Sequence, residues 1–102
     1  MAFSKAELYE EEVRMMAEFA RAFGHPARIE TVIKLGKDGP CCVKDLAKLH
    51  PITGPSYSDH LEILRELGLV TYEVKYPYIY YEAVEENVEK AKKYLKALLE
   101  SL

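Results

Sequence analysis

The stretch from Ile52 to Tyr81 reads I-T-G-P-S-Y-S-D-H-L-E-I-L-R-E-L-G-L-V-T-Y-E-V-K-Y-P-Y-I-Y-Y and decides the fold. Thr53 is a good helix-capping residue, Pro55 fits the first turn of a helix, and apolar residues then recur at three and four positions until Gly68. Beyond Gly68, apolar and polar residues alternate with a period of two, and an aromatic and β-branched run follows Tyr76-Pro77. The stretch therefore predicts a helix that leads directly into a β-hairpin.

Two shorter helices are predicted before this stretch. Pro26 begins the first of them and Gly36 closes it, with residues 37–40 as a turn. Its apolar stripe consists of Ile29, Val32, Ile33 and Leu35. The next helix starts at Val43 and ends before Pro51, because the residue before a proline is pushed out of the helical region. This helix, a tight turn and the helix after Thr53 form a helix-turn-helix, which the hairpin makes winged.

Long amphipathic helices are predicted at both ends of the chain. Ser4 and Glu7 form a capping box, and apolar residues recur at helical spacing from Leu8 until Gly24 stops the helix. The tail from Glu85 to Leu102 carries a single apolar stripe between lysines and glutamates. The expected fold class is thus mainly α with a β-hairpin wing, a winged helix-turn-helix with long N- and C-terminal helices.

Composition limits the class of protein. The chain has 102 residues, of which 49% are hydrophobic and 30% charged, with a net charge of −3. These values are typical of one globular domain, and no apolar run approaches the roughly 20 residues that span a bilayer. Two adjacent cysteines, Cys41 and Cys42, do not make a disulfide framework. A cytoplasmic protein in a reducing compartment is expected.

Four segments resemble one known family. F-G-H-P-A-R-I within Ala22 to Ile29, C-V-K-D-L from Cys42 to Leu46, S-D-H-L-E-I-L-R-E-L-G-L-V from Ser58 to Val70 and Y-I-Y-Y from Tyr78 to Tyr81 occur in this order. Together they are similar to the motifs of the ArsR-type winged-helix repressors of bacteria and archaea. The similarity runs from about Phe19 to Tyr81.

This resemblance implies a homodimer on DNA. Residues 1–102 would form one winged-helix domain, with residues 1–23 and 85–102 as the dimerisation helices and a near-palindromic double-stranded operator as the target. It also implies control by an inducer, often a metal or metalloid that weakens DNA binding. No cofactor is expected.

The sequence departs from the family where metals bind. The family's second box cysteine falls at Lys44 here, Cys41 lies on the wrong side of the box, and the last helix contains no histidine or aspartate. Cys41 and Cys42 could still bind a thiophilic ion or be oxidised, although no third ligand is evident. The alternative is that Cys42 is a small buried residue at the start of the third helix. His25 and His60 are expected to cap or pack, not to bind metal.

Charge leaves two functions open. From Val43 to Glu82 there are four basic and six acidic residues, whereas a DNA-binding surface is usually basic. The residues expected to contact DNA are Lys44, Lys48, Ser56, Ser58, Asp59, His60, Lys75 and Tyr76. The alternative is a winged-helix protein-interaction module that uses the acidic face and the wing tyrosines. An enzyme is not expected, because no nucleophile with a paired base, carboxylate dyad or glycine-rich phosphate loop is present.

Overall fold

A computed structural model describes residues 8–102, which form five α-helices and three β-strands. In chain order these elements are α1 (Glu11–Ala22), α2 (Pro26–Asp38), β1 (Cys41–Cys42), α3 (Val43–Ala47), α4 (Gly54–Glu66), β2 (Val70–Lys75), β3 (Tyr78–Ala83) and α5 (Glu85–Ser101). The predicted fold class, mainly α with a β-hairpin wing, is confirmed.

The helix-turn-helix consists of α3 and α4, and β2 and β3 form the wing. Thr53 caps α4, since its hydroxyl oxygen accepts a hydrogen bond from the Ser56 N–H at 3.3 Å. At the other end the chain turns at Gly68, whose φ of 75° lies in the left-handed region that favours glycine. The Gly68 carbonyl accepts a hydrogen bond from Asn87 Nδ2 at 2.7 Å, which ties this turn to α5. Both predicted boundaries of α4 hold to within two residues.

The short strand β1 was not predicted. Cys41 and Cys42 pair antiparallel with Tyr81 and Tyr80 of β3, so the sheet has the strand order β1-β3-β2. Two residues are too few to show a period of two, and the strand exists only because β3 supplies its hydrogen-bonding partner. The pairing holds the start of α3 against the wing.

Two predictions about helix α2 are wrong. It does not close at Gly36 but continues to Asp38, and Gly39 terminates it with a φ of 79° and an N–H that donates to the Leu35 carbonyl at 3.0 Å. The predicted stripe is also rotated, because Ile29 is 39% and Ile33 61% exposed. The buried residues of α2 are Ala27, Arg28, Thr31, Val32 and Leu35. A charged side chain therefore occupies the inner face of this helix.

Helix α1 begins later than expected. The capping box of Ser4 and Glu7 lies outside the described residues, and Leu8, which was placed on the helical stripe, precedes the helix and is 78% exposed. Glu10 is extended and makes no side-chain capping hydrogen bond, and the regular helix starts after it. None of the described helices is both long enough and apolar enough to cross a membrane.

The core lies between the helices and one face of the sheet. Phe19 of α1 meets Tyr94 of α5 with ring centroids 5.8 Å apart, and α5 contributes the buried Ala91. The other buried members of the cluster are Ala22, Ala27, Val32, Leu35, Leu46, Tyr57, Leu61, Leu64, Leu69 and Val70. Because three of these residues belong to α4, the core fixes which face of that helix points outward.

Candidate nucleic-acid interface

Helix α4 has one buried and one polar face. Tyr57, Leu61 and Leu64 are buried, while Ser56, Ser58 and Asp59 are exposed, as predicted. The Tyr57 hydroxyl lies 2.7 Å from Thr31 Oγ1, whose own proton goes to the Ala27 carbonyl at 2.7 Å. Tyr57 must therefore donate to Thr31, and this buried hydrogen bond fixes α4 against α2. The outward face can present hydroxyls and a carboxylate to base edges.

His60 does not share this exposed face. Its ring is half-buried and stacks beside His25, with centroids 4.1 Å apart. Its Nδ1 atom lies 2.6 Å from a guanidinium nitrogen of Arg28. The expectation that His60 is exposed is therefore wrong, since helical periodicity places it three residues after Tyr57, at the edge of the buried face.

Arg28 was not singled out from the sequence, although it links three helices. The side chain belongs to α2 and is buried at 8% exposure. Besides His60 of α4, it donates to the carbonyls of Ala22 and Arg21 at the end of α1, each at 2.9 Å. An arginine three residues before Thr31 and seven before Leu35 lies on the same helical face, and this spacing could have revealed it.

The other histidines also make packing or capping contacts. His25 Nδ1 accepts a hydrogen bond from the Ala27 N–H at 3.0 Å and so caps α2. His50 stacks on Tyr57 with centroids 4.8 Å apart. The predicted capping or packing role is thus confirmed for His25 and, through its contact with Arg28, for His60.

The proposed cations lie on two elements. Lys44 is exposed on α3, Lys48 is exposed at its C-cap, and the side chain of Lys75 is 65% exposed at the end of β2. Lys75 lies 4.0 Å from the carboxylate of Glu73 and 5.7 Å from the centre of the Tyr80 ring. Tyr76, at the tip of the wing, is 93% exposed. All four side chains lie open to an approaching partner.

Acidic side chains also belong to this surface. Asp59, Glu66, Glu73 and Glu82 are exposed. Glu62 is paired with Arg65 one turn along α4, and this hydrogen bond lowers the pKa of the Glu62 carboxyl. Because Arg65 is engaged in this pair, the outward face of α4 keeps the acidic character expected from the sequence.

The two cysteines are structural neighbours of the wing. Cys42 is buried and directly precedes α3, as one of the two interpretations predicted. Burial and the nearby Asp45 raise the pKa of the Cys41 thiol, which disfavours the reactive thiolate. Within residues 8–102, no three His, Cys, Asp or Glu side chains are grouped as metal ligands. Among the described residues, no His, Asp or Glu side chain therefore completes a group of three with Cys41 and Cys42.

Comparisons with known proteins agree with this geometry. A family profile described as "Bacterial regulatory protein, arsR family" matches residues 25–72. The chain is 32% identical to the arsenical resistance operon repressor of Bacillus subtilis over 82 residues, which are 80% of this chain and 78% of that protein.

Solved structures extend the likeness to nearly the whole chain. NolR from Sinorhizobium fredii is 28% identical with a TM-score of 0.70, covering 98% of this chain and 94% of that one. The transcriptional repressor BigR from Xylella fastidiosa is 27% identical with a TM-score of 0.68, covering 94% and 93%. The matched region contains the helix-turn-helix, so the chain belongs to the ArsR family of DNA-binding transcriptional regulators.

Proposed function

We propose that this protein is a repressor that acts as a homodimer on a near-palindromic operator. The observation that carries the proposal is the fixed orientation of α4: Tyr57, Leu61 and Leu64 hold one face in the core, and the opposite face presents small polar side chains beside the wing. The similarity to an operon repressor supports repression of transcription and not activation. Because the target is DNA, the protein acts in the cytoplasm.

Each exposed residue has a role in this proposal. Ser56 and Ser58 offer hydroxyls to base edges, and Asp59 can accept a hydrogen bond from the amino group of a cytosine. Lys44 lies on the first helix of the motif and Lys48 at its C-cap, and this helix crosses the phosphate backbone in helix-turn-helix proteins. Lys75 and Tyr76 would contact the backbone from the wing. His60 is removed from the contact set and braces α4 instead.

A weakened DNA complex is expected for Ser58→Ala/Lys75→Ala. In a dimer the double change removes two hydroxyls and two cations, and we expect roughly tenfold weaker binding to the protein's own promoter fragment at about 0.1 M salt. Fluorescence anisotropy with labelled fragment measures the change. Lys93→Ala, an exposed lysine on α5, is the matched control and should bind like the unchanged protein.

The homodimer rests on apolar side chains that the single chain leaves exposed. On α1 and α5, Val13 is 48% exposed and Leu99 69%, and Leu102 at the end of the tail is 92% exposed. A subunit interface covers apolar groups of this kind, and long terminal helices provide enough area for it.

Monomers are expected for Val13→Glu/Leu99→Glu. Both side chains are exposed in the single chain, so the change should leave the fold intact while placing charges in the proposed interface. Sedimentation velocity measures the mass, and circular dichroism checks the helix content. Leu49→Glu, a comparably exposed leucine after α3, should remain dimeric. A dimer in the double variant would place the interface elsewhere.

A protein-interaction module remains the second candidate function. The specific observations in its favour are the acidic face of α4 and the exposed tyrosine at the wing tip. If the dimer binds no genomic fragment even at about 0.01 M salt, where electrostatic attraction is screened least, the interaction module is supported instead.

A further inference from the structure

The Arg28 guanidinium connects the end of α1 to the middle of α4. Two of its nitrogens donate to carbonyls of Arg21 and Ala22, and a third lies 2.6 Å from His60 Nδ1. A planar guanidinium directs its donors rigidly, so these contacts fix the position of His60 as well as the arginine. On the inward side of α4, His60 is a second polar attachment point beside the hydrogen bond from Tyr57 to Thr31.

The contact between Arg28 and His60 requires a neutral imidazole. Arginine carries only donors and keeps its charge at any physiological pH. The Nδ1 atom of His60 must therefore be the acceptor, with the ring proton on Nε2. A doubly protonated ring would direct an N–H at the arginine and bring two positive charges together at 2.6 Å. The hydrogen bond is lost in that form.

The surroundings of His60 oppose its protonation. Burial lowers its pKa below the ordinary value, and the neighbouring His25, Arg28 and, more weakly, His50 lower it further, while Asp59 acts in the opposite direction. The ionisable side chains around the ring are His25 before α2, Arg28 on α2 with Arg21 behind it, His50 before α4 and Asp59 on α4 itself. A carboxylate oxygen of Glu30 on α2 lies 3.9 Å from His50 Nδ1.

We propose that Arg28 is a positioning residue for the recognition helix α4 and that it acts only through neutral His60, so that protonation of His60 releases α4 and weakens DNA binding. This inference rests on the proposed DNA-binding function. It makes the pair of Arg28 on α2 and His60 on α4 a pH-sensitive element behind the recognition helix.

The direction of the effect distinguishes this element from a simple surface histidine. A histidine that gains a positive charge beside DNA attracts phosphates and strengthens binding as the pH falls. Here the charge forms behind α4, against Arg28, and its effect is to displace the helix. Acidification should therefore weaken binding. Stability follows the same sign: it is complete above the ordinary histidine pKa of about 6.5 and is lost as the pH falls from there through the lowered folded value.

The experiment measures the affinity of the full-length dimer for its own promoter fragment from about pH 8 to about pH 5.5 at constant ionic strength. We expect an affinity loss of about tenfold or more in the unchanged protein. His60→Asn, whose amide oxygen can still accept from Arg28 but cannot protonate, should show a flat profile. His25→Asn is the control, because asparagine preserves the cap on α2 and should retain the loss. Unchanged or tighter binding at low pH, or an equal loss in His60→Asn, would overturn the inference.

A second measurement separates this inference from the proposed function. Hydrogen exchange of the α4 amides in the dimer without DNA, corrected for the intrinsic pH dependence, reports how firmly the helix is held. Protection should fall as His60 titrates, and the titration itself is followed by NMR of the unchanged protein, so no variant has to fold. If no DNA binds at any pH but protection falls with the His60 titration, the proposed function fails and the positioning role stands. Constant protection through the titration refutes the positioning role.

Discussion

Replacing Arg28 with alanine should lower the free energy of unfolding by about 3 kcal/mol, because three hydrogen bonds from one charged group disappear and the buried Ala22 carbonyl loses its side-chain donor. The other two bonds are to His60 Nδ1 and to the Arg21 carbonyl, which keeps the Gly24 N–H as a donor at 3.1 Å. A residual gap where the long side chain lay adds to the loss. The effect would be large for a chain of this length, since a domain of about 100 residues is stabilised by only about 5–15 kcal/mol.

Urea unfolding at about pH 8, where His60 is neutral, measures this loss. Protein concentration has to be equal in every sample, because the stability of a dimer depends on it. Arg14→Ala, an exposed arginine on α1, is the matched control and should change stability by less than about 0.5 kcal/mol. Arg28→Lys keeps the charge with a point-like donor set and should give an intermediate loss. A loss below about 1 kcal/mol for Arg28→Ala would mean that the three contacts do not hold α1, α2 and α4 together.

The helix-turn-helix and the wing could be predicted from the sequence because their determinants are local. Thr53 caps α4 through a residue three positions away, and Gly68 ends it through its own backbone conformation. In the first strand of the hairpin, residues 70–75, apolar and polar residue types alternate along the sequence. This pattern does not depend on any distant partner. Each of these sequence signals lies within a few residues of the helix or strand that it determines.

The features that the sequence did not reveal depend on distant partners or on a choice between equal signals. Strand β1 needs β3, about forty residues away, to form its hydrogen bonds. Gly36 and Gly39 are both plausible helix ends, and only Gly39 adopts a positive φ. The isoleucines were predicted on the buried face of α2 because apolar residues are usually buried. In the structure Arg28 and Thr31 lie on the buried face instead.

In the candidate site, too, features with local determinants could be predicted and contacts between distant residues could not. The exposure of Ser56, Ser58 and Asp59 follows from the period of α4 and was predicted. The inward position of His60 could have been inferred from the same period, since it lies four residues before the buried Leu64. Its partner Arg28 lies 32 residues away in the sequence, and this contact could not have been inferred from the helical period. Thus the exposed half of the site could be predicted from the sequence, and the half that holds α4 in place could not.

Reversing the charges of Lys44 and Lys48 should have the largest effect on DNA binding. These exposed lysines lie on α3 and at its C-cap, and a dimer carries each of them twice. Helix α3 is the helix expected to cross the phosphate backbone. Each phosphate contact contributes a slope of about −0.9 in a plot of log affinity against log salt. Lys44→Glu/Lys48→Glu should therefore make this slope shallower by about 3 to 4, and affinity at about 0.1 M salt should fall on the order of 1000-fold.

This test has particular weight because the surface is otherwise acidic. Over residues 43–82 the two lysines are half of the four basic residues, and Arg65 is already paired with Glu62. Little cationic charge remains to compensate for their loss, so a DNA-binding regulator with this surface has to depend on them. Lys90→Glu/Lys93→Glu on α5 changes the net charge equally and controls for long-range electrostatics. Because α5 belongs to the proposed dimer interface, sedimentation velocity first checks that this variant is a dimer. Equal losses in both double variants would show that net charge, and not contact through α3, governs binding; no loss in either would exclude phosphate contacts by α3.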